Sequence, residues 1–380
     1  MNLFSKKIKP IKKLKILFII DSLEVGGAEK QLVMLAKEMY LLKHQVCVYA
    51  LRGDGPLIEV LENAGILVFK GLLRSERHLS SFLRGLLDLA KVIIKLRPNV
   101  LNAFLPLSSF LAAVLGKILL VKYIVISKRG LGKHQDINKK WQYLDKISNY
   151  FSHAVTVNSK SVKQDLIKRD GISKSKIICI YNGIDLDKFH ANSEKILKAR
   201  KDLGLHPQEY AWINVGNFVY HKGHQDLVRA FNRIHKQFNV KLFLVGRDRG
   251  TMNSIKGLIS HLSEDNRIKV LGFQKNVHEI LIAMDGYVGS SHTEGFSNAI
   301  LEAMAANLKI VATDVGGNSE ALMSGKYGKI ITPNSVQSLT SAMEYTMKDN
   351  TLTETRERAK TFSKENMTSE YLKLYLEGTR

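Results

Sequence analysis

Two cysteines in 380 residues, Cys47 and Cys179, are too few for a disulfide framework or a thiolate metal site. A reducing cytoplasm is therefore the expected compartment. Prolines number only six, which excludes a proline-rich or low-complexity chain. A long uninterrupted apolar run is missing as well. Residues 14–20 form a short apolar stretch followed by polar Asp21 and Ser22, unlike a secretory signal. Residues 105–126 are the most hydrophobic long stretch, but Lys117 and Lys122 interrupt them. They fall short of the ~20 apolar residues a transmembrane helix needs, and read as a buried helix followed by a strand.

Acidic charge is the other deficit. Against 57 basic side chains there are 35 acidic ones, a formal net charge of +22. Residues 1–190 carry 32 basic and 15 acidic groups, whereas residues 191–380 carry 25 and 20, so the excess belongs to the first half. Such a field attracts phospholipid headgroups or nucleic acid. Six lysines lie between Lys6 and Lys15 with no acid among them. They read either as a solvated basic tail or as an anchor, each lysine contributing about 1 kcal/mol near an anionic leaflet. The basic residues lack the aromatic interleaving of a base-stacking platform, so nucleic acid is not expected.

What the chain does have is length for two or three domains and a repeated alternation of strands and helices. Apolar runs at 15–20, 45–51, 66–69, 100–104, 123–127 and 154–158 read as strands of one doubly wound parallel sheet, and those at 212–216, 241–246, 268–271, 286–289, 310–313 and 329–331 as strands of a second. Two such halves place a ligand cleft between their strand C-terminal edges. The expected domains are residues 1–190, residues 191–362 and a final helix from 363 to 380. A helix over 79–96 carries apolar residues on one face, with Arg84, Lys91 and Lys95 elsewhere, and Arg97-Pro98 ends it. It reads first as a helix packed on the sheet and second as a membrane-facing one.

Chemistry concentrates at residues 285–306. After the strand at 286–289 comes a polar loop, Ser290 to Thr293, then Glu294, Gly295, Phe296 and Ser297, an N-cap candidate for a helix bearing Glu302. A strand, a glycine-bearing loop and a helix N-terminus make an anion site, because first-turn amides and the helix dipole both favour a phosphate. Earlier, Gly216-Asn217 leads through a loop to Lys222-Gly223 and another helix. A lysine at such a turn suits a point-charge contact with phosphate. At the first β-loop-α turn stands the diglycine Gly26-Gly27.

Glu294 and Glu302, eight positions apart with Gly295, Phe296 and Ser297 between them, resemble the paired-glutamate signature of retaining glycosyltransferases of family 4, which have the two-Rossmann-domain GT-B architecture. Gly26-Gly27-Ala28-Glu29 resembles that family's loop over the donor phosphates, the Asn-Gly-Ile-Asp segment at 182–185 its linker, and Val315 to Glu320 its next turn. The resemblance implies an α/β fold of two Rossmann-like domains facing across a cleft, with the C-terminal helix crossing back to the first. It also implies a nucleoside diphosphate sugar as co-substrate, uridine diphosphate sugars foremost, with no cofactor and no metal.

By that resemblance Lys222 stabilises the leaving diphosphate and Glu294 hydrogen-bonds the transferred sugar. Ser297 and Asn298 present amides to the phosphates, Glu302 accepts from the ribose, and the base lies near Phe273. Where much of the family has an arginine, this chain has Asn217, and Arg247 is the candidate to compensate. The usual histidine of the first domain is replaced around Asn102-Ala103-Phe104; His134, after the following strand, is either an acceptor-side catalytic group or a surface residue. Asp185 and Asp187 superficially match a metal-binding aspartate pair of another fold, but sit on the linker. Retention proceeds either by a carboxylate nucleophile, for which no candidate stands out, or by same-face attack with the departing phosphate taking the proton, the route the family implies.

The expected function is a retaining transfer of sugar to a lipid-linked or envelope polysaccharide or lipopolysaccharide acceptor, by a peripheral protein on the anionic inner face of the cytoplasmic membrane. The competing readings are a soluble acceptor, an epimerase, or a non-catalytic membrane-bound partner of another transferase.

Overall fold

The structure is a computed structural model and describes residues 13–73, 78–132, 135–136, 138–262, 266–349, 351 and 354–380. The first lobe is built on seven parallel strands: β1 (Lys15–Ile20), β2 (Gln45–Ala50), β3 (Leu67–Lys70), β4 (Val100–Phe104), β5 (Tyr123–Lys128), β6 (Ala154–Val157) and β7 (Ile177–Cys179). Their order is β3-β2-β1-β4-β5-β6-β7. The central strands are apolar on both faces because helices cover both. One layer packs β1, β2 and the helix Gly27–Leu41 into a common core. On the other side lie the helices Leu79–Leu96 and Pro106–Ile118.

The second lobe repeats the plan with β8 (Tyr210–Val215), β9 (Val240–Val245), β10 (Ile268–Gly272), β11 (Gly286–Gly289), β12 (Lys309–Thr313) and β13 (Lys329–Ile331), in the order β10-β9-β8-β11-β12-β13. Strand order reverses at β1/β4 in one sheet and at β8/β11 in the other, which are the points where such sheets bind ligands. β7 is absent from the sequence reading. It has three residues following a single 3-10 turn, too few to show a period.

The chain crosses between the lobes twice, and the crossings are tied together. Ile184 donates to the carbonyl of Phe362 at 2.8 Å and accepts from the amide of Lys364 at 2.9 Å. Ser363 then caps the final helix, Lys364–Gly378. That helix sends Met367, Tyr371, Leu374 and Tyr375 into the core of the first lobe, as the resemblance implied. No helix among the described residues is long and apolar enough to cross a membrane.

Candidate functional site

The second lobe presents two loops to the cleft. After β8, Gly216 and Asn217 lead to a 3-10 turn, Tyr220–Lys222, that ends at Gly223. Gly223 has φ +66°, and a Cβ there would lie 2.0 Å from the carbonyl oxygen of Ser290, so only glycine lets the two loops approach. Ser290 Oγ donates to the carbonyl of Lys222 at 2.9 Å and locks them together. The contact aims Lys222 Nζ at Glu294 Oε1, with which it forms an ion pair. Ser291 Oγ donates to the same carboxylate oxygen at 2.7 Å.

Ser297 caps the helix Asn298–Ala305, its hydroxyl accepting from Ile300 N, as its sequence position predicts. The first-turn amides of that helix therefore open on the cleft. Asn298 sits at a crossing of the two lobes: its Nδ2 donates to the carbonyl of Gly27 at 3.1 Å, and its Oδ1 accepts from Asn182 Nδ2 at 2.7 Å and Gln31 Nε2 at 3.2 Å. One turn further along, Glu302 faces Lys30 across the cleft at 3.9 Å.

From the first lobe, the β5 end supplies Arg129. Its guanidinium donates to Asn182 Oδ1 at 2.8 Å and to Tyr371 OH at 2.6 Å, and lies over the Phe104 ring, 4.9 Å from the centroid. Phe104, in the segment where the resemblance leads one to expect a histidine, serves as a platform for an arginine. Asn102 is turned away from the cleft, donating to Tyr375 OH at 2.5 Å. The lobes touch where Gly295 meets the Arg129 carbonyl, 2.4 Å from where a Cβ would stand. Ser159 Oγ donates to the carbonyl of Gly295 at 3.1 Å, a second bridge.

Arg247, after β9, stacks over the Phe273 ring at 4.3 Å and donates to Glu24 of the first lobe at 2.9 Å. Its backbone amide donates to Asn217 Oδ1 at 3.3 Å, so the asparagine standing for the expected arginine holds the candidate substitute cation in place. Behind this wall, His224 is buried and stacked on Phe218, and burial pushes its pKa down to about 4. Burial also raises Glu29, beside the diglycine, above the ordinary carboxylate value.

Residues from both lobes line one cavity of about 560 Å³ between them. The structure brings together in its wall Gly26, Gly27, Gly216, Asn217, Lys222, Arg247, Phe273, Glu294, Gly295, Phe296, Ser297, Asn298 and Glu302. His134 lies outside the described residues. Asp185 is held by Lys364 at 2.9 Å and Asp187 is exposed; neither lines the cavity. Gln31, Arg129 and Asn182 also line the cavity, and no sequence motif marks them as site residues. Asn182 falls inside the linker segment 182–185, but its meeting with Arg129 depends on β5, the linker and the final helix arriving at one point.

Residues 195–366 match the family "Glycosyl transferases group 1" and residues 25–188 match "Glycosyltransferase Family 4". The capsular polysaccharide biosynthesis glycosyltransferase CapM of Staphylococcus aureus is 24% identical over 327 residues, 83% of this chain and 84% of that protein. The N-acetylgalactosamine-N,N'-diacetylbacillosaminyl-diphospho-undecaprenol 4-alpha-N-acetylgalactosaminyltransferase of Campylobacter jejuni is 27% identical over 226 residues, 58% of this chain. The match spans little more than half of that relative's length, 59%. Among solved structures, Anabaena HepE in complex with UDP-glucose superimposes with a TM-score of 0.85 at 22% identity, covering 96% of this chain and 99% of that one, a likeness of fold. With both lobes matched in order and the paired glutamates facing one interlobe cleft, the chain belongs to glycosyltransferase family 4 and has the GT-B fold.

Proposed function

We propose that the protein transfers a sugar, with retention of anomeric configuration, from a uridine diphosphate sugar to a lipid-linked or envelope polysaccharide acceptor, working without a metal at the anionic inner face of the cytoplasmic membrane. The observation that carries this reading is the convergence of Lys222, Glu294, Glu302 and the start of the helix Asn298–Ala305 on one interlobe cavity. The relatives named above, one in capsular polysaccharide synthesis and one whose name specifies a diphospho-undecaprenol acceptor, support the acceptor class. The UDP-glucose complex of a fold neighbour supports the donor.

In this reading the diphosphate lies against the first-turn amides of the Glu302 helix, with Lys222 and Arg247 as its counter-charges. Negative charge grows on the leaving diphosphate as the glycosidic bond stretches, so a fixed cation stabilises the transition state more than the bound donor. Lys222, carried on a loop locked through Gly223 and Ser290, is such a cation. Glu294 hydrogen-bonds the sugar, Glu302 the ribose hydroxyls, and the base stacks by Phe273, with Gly26 and Gly27 closing over the phosphates. The acceptor hydroxyl attacks the face from which the diphosphate departs, and the departing oxygen takes its proton. That route needs no carboxylate nucleophile on the opposite face and no histidine around residues 102–104.

A thermal-shift screen over uridine, guanosine and adenosine diphosphate sugars tests donor binding; a ligand at a hundred times its dissociation constant adds about 2.7 kcal/mol of stability. Transfer to a diphospholipid-linked sugar, followed by product anomer assignment, tests the reaction. An inverted product, or a shift with none of the donors, overturns the reading.

A further inference from the structure

The helices Leu79–Leu96, Pro106–Ile118 and Lys140–Phe151 lie on one face of the first sheet, sharing a single apolar core beneath them. Their outward sides therefore form one surface, and its composition is unusual. On the first helix Leu79, Leu83, Leu87 and Ile94 are exposed, at 72%, 45%, 61% and 57%. Their spacing keeps them within a sector of about 80° at 100° per residue, so they form a stripe separate from the buried Leu89, Val92 and Ile93. The other two helices continue the pattern with exposed Ile118, Leu120, Tyr143 and Tyr150.

The exposed charges on the three helices have one sign. Arg84, Lys91 and Lys95 on the first helix, Lys117 on the second, and Lys140 and Lys146 on the third are exposed. The three helices themselves hold two acids, and both turn inward; on a flank, Asp136 is exposed and paired with Arg169. Asp88 accepts from Tyr49 OH at 2.5 Å, and Asp145 is buried in an ion pair with Lys128. A protruding leucine stripe beside cations, with acids withdrawn, is the arrangement that enters the headgroup boundary of an anionic bilayer.

We infer that this three-helix face docks the protein on anionic phospholipid, the leucine stripe of Leu79–Leu96 entering the bilayer boundary and the flanking lysines and arginines meeting phosphate headgroups. A second copy of the chain fits poorly, because a two-fold contact would set one cationic face against another. A nucleic acid leaves the leucines without an apolar partner. Leu79 begins its helix near the C-terminal end of β3, the strand end that faces the cleft, so the docked membrane lies beside the mouth where a lipid-linked acceptor would enter. The inference deepens the proposed function, on whose acceptor class it rests.

Flotation of the full chain with vesicles of phosphatidylglycerol and phosphatidylethanolamine, and with phosphatidylcholine alone, tests it. The anionic vesicles should carry the protein, less so at high salt, and phosphatidylcholine should not. Leu83→Gln/Leu87→Gln and Lys91→Glu/Lys95→Glu should each lower the partition about tenfold or more. Neither pair should alter the thermal shift produced by UDP, since none of the four residues lines the cavity. Undiminished flotation in both double variants overturns the assignment. So does a dimer that the leucine variant converts to monomer in light scattering, or duplex DNA that displaces the vesicles. Vesicle binding without any UDP shift would leave this face standing and sink the donor reading instead.

Discussion

At the scale of single residues, the cleft is governed by which anion each cation meets. Lys222 is paired with Glu294, and a donor diphosphate would compete for it. Lys222→Ala should lower kcat by about 10²–10³-fold, the loss expected for a pre-placed group facing developing charge. Glu302→Ala should blunt the UDP-sugar thermal shift, whereas Asp187→Ala, at an exposed position outside the cavity, should leave it intact. His224 makes a different claim. Its pKa falls to about 4 in the folded protein, chiefly because burial disfavours the charged ring, against an ordinary 6.5. The unfolded chain therefore binds the proton more readily, and the stability tied to neutral His224, about 3 kcal/mol, is complete above pH 6.5 and lost progressively as pH falls towards 4. Denaturant midpoints measured from pH 7 to 4.5 should fall in the wild type and fall less in His224→Phe, where the stacked ring on Phe218 is kept.

Elements place these residues through contacts only glycine permits. Gly223 combines a left-handed φ with the Ser290 carbonyl at 2.0 Å from an added Cβ. Gly223→Ala should cost about 1–3 kcal/mol or more and shift the turn that carries Lys222, so both Tm and UDP affinity should drop. Gly257, inside the helix Met252–Leu262, is the matching control: an added Cβ would meet nothing within 4 Å. Gly257→Ala should raise stability by about 0.5–1 kcal/mol through helix propensity and leave UDP binding unchanged. Opposite signs for one type of substitution separate a glycine needed for approach from one that is merely present.

Across the whole molecule, the lobes are held by a few polar bridges and by one helix. Glu24 pairs with Arg247 at 2.9 Å and with Arg249 at 3.8 Å across the cleft, so it competes with a diphosphate for the same cation. Glu24→Gln should tighten UDP binding severalfold by titration, most clearly at low salt. Removing residues 363–380 should be more drastic. It takes Met367, Tyr371, Leu374 and Tyr375 out of the first lobe's core and leaves Asn102 and Arg129 without their tyrosine partners. Limited proteolysis should then digest the first lobe while the second resists.

The amino-acid sequence by itself determined the two alternating α/β halves, nearly every strand, the capped helix bearing Glu302 and the lysine turn before it. Those features depend on apolar runs, caps and turn residues, which act between neighbours along the chain. Only the tertiary structure decided that Arg129 rests on Phe104 and Tyr371, that Asn182 and Gln31 meet at Asn298, and that Asp88 and Asp145 turn inward from a cationic surface. Each of these contacts joins groups distant in sequence. Their distances are set by sheet order and by the return of the last helix, and neither is written in any local pattern of residues.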